Sequence, residues 1–262
     1  LNGSLEVNGF IDDNDDILTI HKDTPIFDGP YSNLTYQNRI REAYEHWREQ
    51  ATSKEKIAEN ESILNRWERL IFHLPYAFHG KRIFSEIYMQ EKMRTGEWND
   101  FAAENELEIP QRDQFDDQKT YDKAQANFLR VTTKTTEYRA MAKAKLEKAQ
   151  RASGLIGNMY ACSIFLALMS TLNADLEEDA NLEGKQLGFF GYGSGSKSKV
   201  FEAEVQPEWK TVVENFKLND KLEIRNAIDY KTYEQLHRKR LGQSVQTDNG
   251  KFALAEIGTE GV

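Results

Sequence analysis

A chain of 262 residues with 39% hydrophobic and 11% aromatic content has enough apolar side chain for a core, as one large α/β unit or two small ones. Its formal net charge of -9 argues against a nucleic-acid or anionic membrane surface as a general partner, because both would repel it, while a local basic pocket for a phosphate stays open. A single cysteine, Cys162, excludes a disulfide framework within the chain and fits a reducing cytoplasm.

The leading residues LNGSLEVNGFIDDNDDI have no basic head followed by an apolar run, so they are not a secretory signal, and they read as a chain entered partway. Residues 1–34 are expected to form a leading loop with one short strand, since Pro25, Gly29 and Pro30 disfavour a long helix. From Thr35 to Gln50 the helical spacing of Tyr36, Ile40, Ala43, Tyr44 and Trp47 predicts a helix with one buried face, capped by Ser32 or Asn33. Leu70, Ile71 and Phe72 predict a short strand that stops at Pro75, which puts His73 at the strand's end, before a helical pattern at Ile83, Ile87 and Met89.

Residues 90–150 are highly charged, with spaced apolar positions and Pro110 between two helical stretches, and predict an exposed helical excursion. In SGLIGNMYACSIFLALMSTL, Gly154 and Gly157 precede a helix that is apolar nearly all round and so expected to be buried. Its apolar run, Met159 to Leu172, is broken by Ser163 and Ser170 and is too short to span a bilayer. GKQLGFFGYGSGSKSKVFEAEV predicts two strands joined by a glycine-rich turn. The tail predicts helices at Glu208 to Phe216 and Tyr230 to Arg240, and a last strand around Lys251 to Ala255. The chain thus divides into 1–89, 90–150 and 151–262, within an α/β fold.

Three motifs in order, IFHLPYAFHGKR from Ile71, IGNMYACSIF from Ile156 and GYGSGS from Gly191, together resemble the 3-hydroxy-3-methylglutaryl-CoA (HMG-CoA) synthases. VFEAEVQPEW and FDGPYSNLTY extend the likeness over most of the chain outside the excursion. The resemblance implies a thiolase-like half with a mixed sheet and packed helices. It also implies that the nucleophilic cysteine and catalytic glutamate lie in an N-terminal half that precedes this chain. Cys162 stands where the family more often has a small residue, and it is expected to be a packed structural thiol, not a substitute nucleophile.

The implied reaction, condensation of an enzyme-bound acetyl group with acetoacetyl-CoA, turns a ketone carbonyl into a tertiary alkoxide, so a donor must meet the developing charge. His73 resembles the family residue in that role, and imidazole titrates near neutrality. Asn158 resembles the asparagine that holds the acetoacetyl group; it is equally suited to capping a helix, and the two roles are compatible. Ser194, with Gly193 beside it, resembles the turn whose backbone N–H meets the thioester oxygen, although Gly-Ser-Gly is also a common tight turn. Lys81 and Arg82 stand where the family places basic residues near CoA phosphates, or are solvated surface charges; Phe78 stands where the family often has a lysine. His21, His46, His79 and His237 lack such context and are assigned no role.

No histidine or cysteine pair falls at metal-ligand spacing, the acidic runs lack the pattern of a calcium loop, and GYGSGS joins strands instead of opening a helix as a nucleotide motif would. No resident cofactor or metal is expected, and the resemblance implies acetyl-CoA and acetoacetyl-CoA as substrates. The resemblance further implies the mevalonate route to isoprenoids, a cytoplasmic setting, a homodimer when complete, and no nucleic-acid or membrane partner. Two other readings stay open: a β-branching synthase acting on a carrier-protein-bound polyketide, and a CoA-ester-binding fragment that catalyses nothing by itself.

Overall fold

The computed structural model describes residues 28–193, 195–241 and 245. The strand expected at Lys251 to Ala255, and the leading loop up to Phe27, lie outside the described residues. Helix α1 (Gly29–Ser53) starts before the expected Thr35: the Asp28 carboxylate accepts the Tyr31 N–H at 2.9 Å, and Pro30 sits in the first turn. Gly29 and Pro30 open the helix instead of excluding it, because proline's missing N–H is one that the first turn would leave unpaired anyway. The predicted face of Tyr36, Ile40 and Tyr44 is buried.

A short helix, α2 (Ile63–Arg66), capped by the Ser62 hydroxyl, leads into β1 (Trp67–Phe72). With β2 (Gln186–Gly193) and β3 (Lys197–Glu204) it forms a sheet of order β1-β2-β3, in which β1 and β2 run parallel and β2 and β3 antiparallel. The hairpin closes at the Gly193–Lys197 pair, as the glycine-rich turn predicts. A register shift between Trp67 and Arg69 changes the alternation of sides along β1. Trp67 and Phe72, five positions apart, can therefore both lay their rings on Phe190, at 5.7 and 4.2 Å between centroids. Gly188 makes room for this: a Cβ there would fall 2.0 Å from Cε3 of Trp67.

Between β1 and β2 the chain runs through α3 (His79–Arg94), α4 (Trp98–Glu104), α5 (Gln118–Thr132), α6 (Thr136–Lys145), α7 (Glu147–Ile156), a 3-10 turn (Tyr160–Cys162) and α8 (Ser163–Glu177). Residues 90–150 are helical as predicted, but the expectation of an exposed excursion needs correction. Trp98, Phe101, Phe128, Tyr138, Leu146 and Ala149 are buried in the core, with Tyr138 meeting Tyr88 edge-on at 5.2 Å. Most charged positions of these helices face outward while a few apolar side chains turn inward, a division that the overall charge of the segment conceals.

Helix α8 is also corrected. It buries Ser163, Leu166, Ala167, Ser170, Thr171, Ala174 and Asp175, whereas Phe165 is 65% exposed and Cys162 is exposed, not packed. One face of α8 lies on β1 and α7, the helix at Trp209–Glu214 packs against it as well, and Ile164, Leu168, Leu172 and Leu176 are partly buried, which leaves Phe165 as the large side chain that α8 exposes. Two polar joints hold the buried face. The Arg69 guanidinium of β1 grips Asp175 through Nε and Nη2 at 3.0 and 2.7 Å, with Lys148 of α7 adding 2.6 Å to the same carboxylate. The Ser170 hydroxyl donates to Lys148 O and accepts from Ala152 N, fastening α7 to α8. An ion cluster this buried is costly to half-dismantle, because without Asp175 the two cations would keep only the half-exposed carboxylates of Glu68 and Glu178.

After β3, α9 (Trp209–Glu214) buries Trp209 and Val213, slightly shorter than the predicted Glu208 to Phe216. α10 (Leu218–Glu223) was not predicted. The first compact unit ends at Leu218. In the second, α11 (Tyr230–His237) is capped by the Asp229 carboxylate and buries none of its residues. No helix among the described residues is long and apolar enough to cross a membrane.

Candidate functional site

His73 follows the last residue of β1, and three of its groups are fixed. Its N–H donates to Phe190 O of β2 at 2.9 Å, continuing the parallel ladder one residue beyond the strand. Its carbonyl accepts from the Tyr36 hydroxyl of α1 at 2.9 Å. Its Nδ1 lies 2.7 Å from the Ser163 hydroxyl of α8. The sequence produces this convergence locally: Pro75 cannot donate to a continuing ladder, so the strand yields at His73 and Leu74, and Leu74 N–H turns to Ser163 Oγ at 3.0 Å. The imidazole is buried, which pushes its pKa below the ordinary value and favours the neutral ring. Nε2 has no hydrogen-bond partner among the described residues.

Next to it lies a second buried imidazole. His79, at the start of α3, packs between the rings of Tyr36 and Tyr76 at 4.0 and 4.4 Å, and neither of its ring nitrogens has a hydrogen-bond partner among the described residues. Burial, with Arg82 and His73 nearby, pushes its pKa down to about 4. Tyr192, in the glycine-rich strand end, lies 5.9 Å from His73 and 5.1 Å from Tyr36, ring to ring. The two histidines and three tyrosines form one aromatic, weakly polar wall, suited to a neutral donor and unsuited to a fixed charge.

The remaining predicted site residues differ in how they relate to this wall. Asn158 is exposed, and its Oδ1 accepts the Tyr160 N–H at 2.8 Å just ahead of the 3-10 turn, while its amide nitrogen has no partner among the described residues. That turn runs directly into Ser163, the residue that touches His73. Gly193 is exposed at the end of β2, one residue after Tyr192. Ser194 lies outside the described residues. Lys81 is paired with Glu147 at 2.9 Å, and Arg82 lies over the Tyr76 ring at 5.5 Å, so both have protein partners instead of standing free.

Sequence reasoning missed Ser163, Tyr36, Tyr192 and His79 as parts of this cluster. Ser163 looked like an interruption in an apolar helix, and a buried serine in such a run was itself a signal that something polar faces it. Tyr36 looked like one of several apolar positions, because nothing in a helical spacing says which hydroxyl reaches a carbonyl on another element. His79 could have been flagged by its place six residues after His73 on a strand-turn-helix.

A family profile described as "Hydroxymethylglutaryl-coenzyme A synthase C terminal" matches residues 19–251. The hydroxymethylglutaryl-CoA synthase of Haloferax volcanii is 26% identical over 230 residues, covering 86% of this chain and 48% of that protein. Among solved structures, one described as MvaS in complex with 3-hydroxy-3-methylglutaryl coenzyme A superimposes with a TM-score of 0.60 at 19% identity, covering 84% of this chain and 46% of that one. The HMG synthase of the curacin biosynthetic pathway, in complex with holo donor-ACP, does so at 0.53 and 18%, covering 82% and 40%. The chain spans about half the length of the curated relatives it matches, and its mixed α/β fold is that of the thiolase-like HMG-CoA synthase structures. The profile match, which takes in all three motifs and covers most of the chain, shows that this protein belongs to the hydroxymethylglutaryl-coenzyme A synthase C-terminal family.

Proposed function

We propose that this chain is the C-terminal part of an HMG-CoA synthase that condenses acetyl-CoA with acetoacetyl-CoA. In this reading it supplies the groups that act on the second substrate, and an N-terminal half supplies the nucleophilic cysteine and the glutamate. His73 carries the reading: its main chain is pinned on both sides and its Nδ1 is occupied, which leaves Nε2 as the one ring atom available to a ligand. As acetyl carbon attacks the acetoacetyl ketone, negative charge grows on the ketone oxygen, and a neutral imidazole N–H held in place stabilises it without having to reorganise. Asn158, whose amide nitrogen has no partner among the described residues, would hold the acetoacetyl group, and the backbone at Gly193 and Ser194 would approach the thioester. The product is released by water as HMG-CoA. By itself the chain would complete no turnover.

The curated relatives are HMG-CoA synthases, which favours CoA over a carrier protein as the acyl carrier. Lys81 and Arg82 contribute to phosphate binding only if they leave Glu147 and Tyr76, so their part in the site is the least supported. The test is His73→Ala in the complete enzyme. Acetylation of the nucleophilic cysteine should survive, while condensation should fall about a hundredfold or more, as expected for loss of a general acid. Mass spectrometry of the acetyl-enzyme and a condensation assay with acetoacetyl-CoA measure the two steps separately. Equal loss of both would refute the assignment.

A further inference from the structure

We infer that Ser163 is a positioning residue for His73, whose hydroxyl holds the imidazole in the tautomer that carries its proton on Nε2. The argument is a count of protons around one oxygen. Ser163 Oγ already accepts the Leu74 N–H at 3.0 Å and lies 2.7 Å from His73 Nδ1. A hydroxyl has one proton to give. The other hydroxyls on the buried face of α8 spend theirs on main-chain carbonyls, Ser170 on Lys148 O and Thr171 on Ala167 O. Ser163 makes no such bond among the described residues, and it is fully buried, so water does not take the proton either. Nδ1 is the acceptor left to it. A nitrogen that accepts carries no hydrogen, so the single proton of the neutral ring resides on Nε2 and points away from the protein's own bonds.

The Leu74 N–H strengthens the arrangement, because a hydroxyl that accepts from an amide is a better donor through its own proton. With the opposite tautomer the ring would present a bare Nε2, an acceptor, to a substrate oxygen that needs a donor. The role at the substrate rests on the function proposed for His73; the tautomer assignment does not.

The experiment uses the full chain labelled with 15N on histidine, at a pH above the titration of the buried rings. In long-range proton–nitrogen spectra, the unsubstituted protein should show His73 with a non-protonated Nδ1 and a protonated Nε2. Ser163→Ala should give a mixture of tautomers or their reversal, and Ser163→Thr, which restores a hydroxyl, should return the original pattern. A protonated Nδ1 in the unsubstituted protein overturns the proposal, and this measurement needs no variant to fold. A tautomer unchanged in Ser163→Ala overturns it equally. In the complete enzyme, Ser163→Ala should lower the condensation kcat about tenfold or more with a smaller change in KM, and Ser163→Thr should recover most of it. If His73 has no part in condensation, the spectra keep this pattern while His73→Ala leaves the reaction intact, so failure of the functional reading is told apart from failure of this one.

Discussion

The end of β1 and the turn from Gly157 to Cys162 lie on either side of the same serine, yet they are built in opposite ways. At β1 the core itself does the positioning: His73 is tied to β2, to α1 and to α8, and its surroundings are buried. At the turn the residues are exposed, and the bonds recorded are local: Asn158 to Tyr160, Cys162 N to Met159 O, and Gly157 at φ 89 closing α7. A donor that must meet one developing charge needs a frame that does not yield. In the function proposed for Asn158, an amide that would only hold a flexible acyl chain can rest on its own turn. The Met159, Tyr160 and Phe165 side chains around that turn are left exposed, so this chain finishes one side of the candidate site with its core and the other only with local hydrogen bonds.

The largest way to break the contrast is to unfasten α8 from β1, since α8 carries Ser163 and His73 directly follows β1. Asp175→Ala takes the shared carboxylate from Arg69 and Lys148, leaving them Glu68 and Glu178, and should cost about 2–3 kcal/mol, below the full penalty of an unpaired buried charge, read from the midpoint of denaturant unfolding. A loss under about 1 kcal/mol would mean that the cluster is solvated and that hydrophobic packing alone sets the height of α8.

A smaller effect sharpens the buried side. His79 has its pKa pushed from 6.5 to about 4, so the folded state resists the proton that the unfolded chain accepts. The stability tied to the neutral ring is therefore complete above about 6.5 and is lost as the pH falls through the window down to about 4. His73 shifts in the same direction. His79→Met removes a buried ring with two unpaired nitrogens at similar volume, and should leave stability at neutral pH equal or higher. It should also flatten the acid limb by up to one proton, about 1.4 kcal/mol per pH unit at most. An unchanged slope between pH 4 and 6.5 would show that His79 protonates freely in the folded protein.

The smallest effect probes the exposed side and leaves the fold undisturbed. Cys162 should react with iodoacetamide in the native protein at a rate near that of the unfolded chain, followed by intact mass, because its side chain reaches solvent. With acetyl-CoA alone the same thiol should gain no stoichiometric acetyl adduct, since no described residue is placed as its base. A hydroxylamine-labile acetyl group on Cys162 would overturn the assignment of the nucleophile to another half.

What could be read from the residues was what depends on neighbours along the chain. His73 at a strand end follows from Leu70, Ile71 and Phe72 stopping at Pro75, the hairpin follows from GYGSGS, and three motifs in order were enough to indicate the family. Local signals misled where one residue type serves two structures: Gly29 and Pro30 open a helix as readily as they prevent one. Burial was legible for most of α8 but not at Phe165, and not for residues 90–150, because composition gives how apolar a helix is and not which neighbours cover it. The cluster around His73 joins that residue, at the end of β1, to residues 36, 79, 163 and 192 on four other elements. Only tertiary packing decides such contacts: a hydrogen bond depends on atoms meeting within about 3 Å, and no spacing along the chain encodes that meeting.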